Sequence, residues 1–329
     1  MTCKKIAPVR LSQIDQEDLT YRISTPRPLK GLIDSIRQIG LINSPILMPV
    51  DNSGYRIVSG FCRIAACRQL GWSEVFAHIL FPDITPITIL GLAIADNAQH
   101  RELNLVEQAT AVEKLRPYFA DNTEMSAYAA NLGLTLNHAL VDRLHRLNRL
   151  SDSIKARIIS NVIPLTIALE LEKLEPPAAE EFAAFFDELR PTLNQQKEIF
   201  LLVKEIARAE DLSVEDVINK SPISEFRLDA DMDRPQKLKK IRSYLKKRRY
   251  PKIHQFEAFY GESLKSLNLP DGIAFSAPAN FEGSRFSMTL SFCSQAEFKV
   301  HMKWLSDLAD NPSFIRLVNK HFDDSETLY

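Results

Sequence analysis

Cysteine is scarce in this sequence, with four scattered positions (Cys3, Cys62, Cys67, Cys293) among 329 residues. That number and spacing exclude a disulfide framework and a Cys/His zinc site. No apolar run approaches the roughly 20 residues that a membrane helix needs. The lysines near the N-terminus have no apolar stretch behind them, so no secretory signal is expected. Nor does one sign of charge dominate. The 41 Lys+Arg and 42 Asp+Glu leave a formal net charge of −1, which argues against a protein that coats nucleic acid through bulk charge. Internal repeats and low-complexity tracts are lacking too. The expectation is a cytoplasmic chain with no membrane contact.

What is present is an ordinary globular composition, 45% hydrophobic and 25% charged. The chain is long for one core, so two or three domains are expected. Charge is unevenly spread. Residues 111–230 hold 14 basic and 20 acidic side chains, and residues 231–329 hold 16 and 12. The basic surplus lies in one run, Arg234-Pro-Gln-Lys-Leu-Lys-Lys-Ile-Arg-Ser-Tyr-Leu-Lys-Lys-Arg-Arg249. A run of that kind gives a neutral chain a phosphate-binding surface.

The first hundred residues mix strand and helix signals. Strands are expected over 9–14, 44–50, 55–58 and 75–80, with a hairpin turn at 52–54. Helices are expected over 29–39 and 64–70, closed by Gly40 and Gly71. No element is assigned between residues 80 and 104. From Asn104, which with Glu107 forms a variant capping box, the pattern is helical, with breaks near Asp121, Gly133, Ser151, Pro164, Pro176 and Pro191. The polar stretch 229–235 marks a further boundary. Beyond it, Phe286, Met288, Leu290 and Phe292 share one strand face, followed by an amphipathic helix over 295–308.

Two segments carry anion chemistry. Tyr55-Arg-Ile-Val-Ser-Gly-Phe-Cys-Arg63 reads as strand, glycine turn and helix start. Free N–H groups and the positive end of the helix dipole meet at Gly60, and Arg63 adds a planar fork of donors for phosphate oxygens. A purely structural strand–turn–helix junction fits the same residues. Asp96-Asn-Ala-Gln-His-Arg101 sets a carboxylate and an amide oxygen side by side near another arginine. Such oxygens suit a Mg²⁺-bound nucleotide, though a solvated stretch capping the next helix fits as well.

In order, these segments resemble the ParB family. Its motifs are an early Pro-Arg, then Gly-Glu-Arg-Arg-x-Arg-Ala, then Glu-Asn-x-Gln-Arg-x-x-Leu-x-x-x-Glu. The counterparts are Pro26-Arg27, Gly60-Phe-Cys-Arg63-Ile-Ala-Ala, and Asp96-Asn-Ala-Gln-His-Arg101-Glu-Leu103 leading to Glu107. Asp34-Ser-Ile-Arg-Gln-Ile-Gly40 and Pro45-Ile46 resemble the framing segment, and the likeness runs over about residues 6–220. It implies an α+β N-terminal ParB/sulfiredoxin-like domain over 1–103. An all-α DNA-binding domain with a helix-turn-helix would follow over 104–228, then a basic linker and small α+β C-terminal domain over 229–329. The implied function is a DNA clamp that senses CTP and acts in chromosome or plasmid partition, associated with a nucleoid or plasmid. Arg27, Gly60, Arg63, Asn97 and Arg101 would meet the nucleotide, Asn97 would hold Mg²⁺, and Asp96 would be the catalytic arm of any weak hydrolysis. Phe61 and Cys62 replace a Glu and an Arg of the second motif, and Asp96 replaces a longer Glu.

The helix-turn-helix likeness falls on 125–150. Leu140, Leu144 and Leu147 are expected to pack, with His138, Asp142, His145, Arg146 and Arg149 on the other face. An amphipathic bundle helix with a solvated face has the same pattern. In the basic run, Lys239, Lys240, Lys246, Lys247, Arg248 and Arg249 with Tyr244 and Tyr250 would follow a DNA backbone, or pair with the acidic segment 170–188. Homodimerisation through the C-terminal domain and a partition ATPase partner are further implications of the resemblance. The rival is an enzyme on the same domain, a nucleotide-dependent kinase or a sulfiredoxin-like phosphotransfer protein. Cys62 beside Arg63 would be its thiol.

Overall fold

The computed structural model describes residues 4–50, 54–99, 101–278 and 285–319. The first strand, β1 (Lys4–Arg10), starts and ends earlier than the 9–14 expectation. Leu11 and Ile14 are both buried, and a spacing of three suits a tight helical turn rather than a pleated strand. The chain accordingly makes a 3₁₀ turn at Leu11–Gln13 and a two-residue β2 (Ile14–Asp15). Helix α1 (Lys30–Ile39) ends at Gly40 with φ 80°. Strands β3 (Ile46–Val50) and β4 (Gly54–Ser59) pair antiparallel as the expected hairpin, whose turn lies largely outside the described residues. Helix α2 (Phe61–Gln69) begins three residues before its expected start, directly after Gly60.

Strand β5 (Glu74–Leu80) completes a five-stranded mixed sheet of order β1-β5-β3-β4-β2. The apolar faces of the sheet, α1 and α2 share a core built on Leu47, Ile57, Ile64, Val75 and Ala77. Helix α3 (Pro86–Ala98) occupies the stretch where the sequence reading placed nothing. It is buried at Ile89, Leu90, Gly91, Ala93 and Ile94. Burial on successive positions leaves no amphipathic period to read.

Six helices then follow: α4 (Leu105–Leu115), α5 (Asn122–Asn131), α6 (His138–Leu147), α7 (Asp152–Ile159), α8 (Leu165–Leu171) and α9 (Pro176–Leu189). Short polar side chains start several of them, since each satisfies N–H groups that have no intrahelical partner. Asn104 caps α4 in a full capping box with Glu107, and Asp121, Asn137 and Ser151 cap α5, α6 and α7. Helix α10 (Leu193–Ala209) contains the boundary between two compact units, residues 1–197 and 198–329.

The second unit continues with α11 (Val214–Asn219), α12 (Ile223–Leu228), α13 (Arg234–Arg249) and α14 (Pro251–Leu267). Strands β6 (Ile273–Ser276) and β7 (Ser287–Leu290) form a two-stranded antiparallel sheet, followed by α15 (Gln295–Ala309) and α16 (Pro312–Asn319). Phe286 and Met288 pack on the local core of Leu267, Phe275, Leu308 and Leu317. Phe292 does not join them. It is exposed and packs against Phe298. The fold class is thus an α/β N-terminal domain, a mostly helical remainder and a small two-stranded sheet near the C-terminus.

Candidate functional site

The β4–α2 junction is shaped by one glycine. Gly60 sits at the N-cap of α2 with φ 101°, and a Cβ there would lie 2.7 Å from the Pro45 Cβ. Only glycine meets both demands. With no side chain capping it, the N-terminus of α2 keeps its donors open. Beside it lies a cleft of about 380 Å³ lined by Arg27, Leu32, Asn43, Cys62, Arg63, Asp96, Asn97 and Arg101. Segments separated by some seventy residues are thereby joined: the loop before α1, the start of α2 and the end of α3.

Four of the polar groups around the cleft have definite partners. Arg63 donates to Asp96 Oδ2 at 2.9 Å and to the carbonyls of Asn43 and Ser44 at 3.1 and 3.2 Å. Asp96 also accepts from the buried Ser59 hydroxyl. Asn97 Nδ2 donates to the Ala93 carbonyl one turn back, at 2.8 Å. That orientation leaves Oδ1 as the atom suited to a hard cation. Arg101 makes a two-pronged ion pair with Glu107, 2.6 Å on each side.

Glu107 is the most heavily engaged carboxylate in this region. Its side chain is 1% exposed and accepts from Thr25 N and Oγ1, Asn104 N and both prongs of Arg101. Burial alone would push its carboxyl up. The Arg101 fork and the two backbone donors outweigh that and hold it below the ordinary glutamate range. The same bonds raise the Arg101 guanidinium above its usual value. Glu107 therefore ties the loop before Arg27, the Arg101 edge of the cleft and the start of α4 into one network.

On α6 the packed stripe is Val141, Leu144 and Leu147, while Leu140 is only half-buried. Most polar residues of α6 and of the turn after it lie beside acidic side chains. His138 lies 3.4 Å from Asp142, which also accepts from Asn122. His145 Nδ1 is 2.8 Å from Glu113. Arg146 and Arg149 both turn to Glu172 at the end of α8. Arg143 has no acidic partner among the described residues, and the sequence reading passed over it.

The ParB N-terminal domain family matches residues 2–97. This first part of the chain is therefore similar to a ParB N-terminal domain. The cleft is built on the matched segment and closed by Arg101, just past it. Among curated proteins, a probable chromosome-partitioning protein ParB of Vibrio cholerae is 27% identical over 175 residues, covering 53% of this chain and 58% of that protein. The chromosome-partitioning protein ParB of Myxococcus xanthus is 37% identical over 87 residues, covering 26% and 28%. A nucleoid occlusion protein of Oceanobacillus iheyensis is 28% identical, covering 50% and 56%. The chain thus spans between about a quarter and somewhat over half of the length of these curated relatives. Among solved structures, C-terminally truncated ParB of Caulobacter crescentus with CTP-γ-S matches at 21% identity and TM-score 0.27, covering 55% of this chain and 98% of that one. The same protein on its centromeric parS site gives 21% and 0.34, covering 58% and 96%.

Outside the matched segment, α13 sorts its cations onto two sides. Arg242 and Lys246 hold Glu198, Arg249 holds Glu205, and Arg248 holds Glu210, all carboxylates of α10 and its end. Within the second unit, the acidic partners of the run are these carboxylates of α10 and its end. Lys239, Lys240 and Lys247 are exposed around a groove with Phe226 and Tyr244, Lys240 lying over the Phe226 ring. Asn43 and Thr25 were missed in the sequence because nothing local marks them. Glu107 was read as part of a cap and as the end of the third motif, but its hold on Arg101 and Thr25 is not marked in the sequence.

Proposed function

We propose that this chain is a DNA-binding protein of the partition type whose cleft takes a cytidine triphosphate with Mg²⁺. The observation that supports it most is the convergence of Arg27, Arg63 and Arg101 with the open N-terminus of α2 around one cleft. Three guanidinium groups against two carboxylates, Asp96 on Arg63 and Glu107 on Arg101, leave a net positive cleft that favours an anion. The volume is within the range of small-molecule sites. Asn97 and Asp96 would offer oxygen to Mg²⁺ alongside the phosphates. The bound metal would neutralise phosphate charge, and the chain's own residues would orient the nucleotide. Cytidine is the base that the family resemblance implies. The relatives named for chromosome partition support DNA as the partner, with α6 as the second helix of a helix-turn-helix. The same reading implies a homodimer, a partition ATPase partner and a nucleoid or plasmid as the place of action.

Asp96, held by Arg63 and Ser59, orients the arginine in this reading rather than driving hydrolysis. The test is equilibrium binding of CTP, ATP and GTP with Mg²⁺ to the native chain, Arg63→Ala and Asn97→Ala. Selective CTP binding abolished by both substitutions is expected. A folded protein that binds none of the three, with or without DNA, would remove the nucleotide from the mechanism. One observation favours the rival enzyme: Cys62 lines the same cleft as Arg63. Nucleotide turnover without DNA that Cys62→Ser abolishes would establish that reading instead.

A further inference from the structure

The two arginines at the end of α6 are held by a single carboxylate. Glu172 follows the last turn of α8, and its side chain is only 12% exposed. Its Oε2 accepts from Arg146 Nε at 3.0 Å and Nη2 at 2.8 Å, and its Oε1 from Arg149 Nη1 at 3.2 Å. Arg146 Nη2 also donates to the Leu169 carbonyl at 2.8 Å, so the negative end of the α8 dipole adds to the hold. Both carboxylate oxygens are used, and the one negative charge is shared by both cations, so the cluster keeps one net positive charge. The N-terminal half of α6, with His138, Ala139, Asp142 and Arg143, lies outside this clamp. In a helix-turn-helix that half meets base edges, while cations further along meet phosphates.

We infer that Glu172 is a specificity-determining residue that withholds Arg146 and Arg149 from DNA phosphates and so lowers sequence-independent binding by α6. The inference rests on the reading that α6 faces DNA. Phosphate contacts carry affinity without sequence information, and each adds about 0.9 to the slope of log affinity against log salt. Holding both arginine side chains on Glu172 removes up to two such contacts. Base contacts from the other end of the helix are untouched, so the ratio of specific to non-specific binding rises. A glutamate that merely stabilised the helix pair would leave the salt slope where it was.

The experiment is fluorescence anisotropy of the full chain on a random-sequence duplex across a salt series. Glu172→Gln keeps an acceptor for Arg146 but removes the charge. The slope is expected to steepen by about 1–2, so that the affinity lost between ~50 and ~200 mM salt grows by roughly an order of magnitude. Adding Arg146→Gln and Arg149→Gln to that variant should return the slope to the native value. Arg149→Gln alone, at a side chain 61% exposed, should change neither affinity nor slope, because that cation is already withheld. This second variant keeps the proposal open to refutation even if Glu172→Gln does not fold. An unchanged slope or weaker binding in folded Glu172→Gln overturns it, as does a slope decrease of about 1 in Arg149→Gln. A native chain with no salt-dependent DNA retention sinks the DNA reading itself, and the proposal with it.

Discussion

Gly60 and Glu107 are the two residues on which the cleft depends most directly. Gly60→Ala places a Cβ 2.7 Å from Pro45 at a positive φ. A loss of about 2 kcal/mol in urea unfolding is expected from strain and the clash together, along with weakened nucleotide binding. Glu107→Gln leaves the Arg101 fork half-satisfied. Breaking so enclosed a pair costs about 2–3 kcal/mol, reduced from a fully buried case because Arg101 retains solvent contact. The pH dependence has a definite sign. The folded-state pKa of Glu107 is depressed, so its contribution is present above the unfolded value and lost as pH falls through the folded one. Acid unfolding should therefore be steep below the ordinary glutamate range and shallower in Glu107→Gln. A variant with the native acid profile would show that Glu107 contributes no pH-linked stability.

At the scale of elements, α13 has one side tied to α10 and another open. Those four cations paired with glutamates are partly exposed, and each pair contributes less than about 1 kcal/mol. Their effect is instead to remove charge from the surface. Replacing Lys239, Lys240 and Lys247 by Gln should reduce the salt slope of DNA retention, each phosphate contact being worth about 0.9. Replacing Arg248 and Arg249 should leave it nearly unchanged. The opposite order would show that the ladder to Glu205 and Glu210 opens on binding. The capping box of Asp233 and Gln236 starts the helix, and Asp233→Ala should lower stability by about 1 kcal/mol without altering nucleotide affinity. Among the elements, α1, the hairpin, β5 and the helix breaks were legible from period and punctuation. Helix α3 was not, because a helix buried on nearly every side has no polar face to reveal its period. The apolar residues that suggested a strand over 9–14 include Leu11 and Ile14, which are buried from a tight turn and the two-residue strand after it.

The whole molecule comprises two compact units, with the cleft wholly in the first. Units with separate cores unfold separately when little couples them. Calorimetry is expected to show two transitions, of which Mg²⁺–CTP raises one. Ligand at about a hundred times its Kd adds roughly 2.7 kcal/mol to the state that binds it. A single transition that moves as one would show the units to be thermodynamically coupled. By itself the sequence determined the residue types and order of the cleft. Gly60 and Arg63 at a strand–helix junction, then Asp96, Asn97 and Arg101, are local chemistry readable at local spacing. Only the tertiary structure decided which charges are available. Glu172 is more than twenty residues from the arginines it holds, Glu107 reaches back to Thr25, and α10 supplies glutamates to a helix some forty residues later. Such pairings depend on which helix faces which, and packing rather than spacing along the chain decides that.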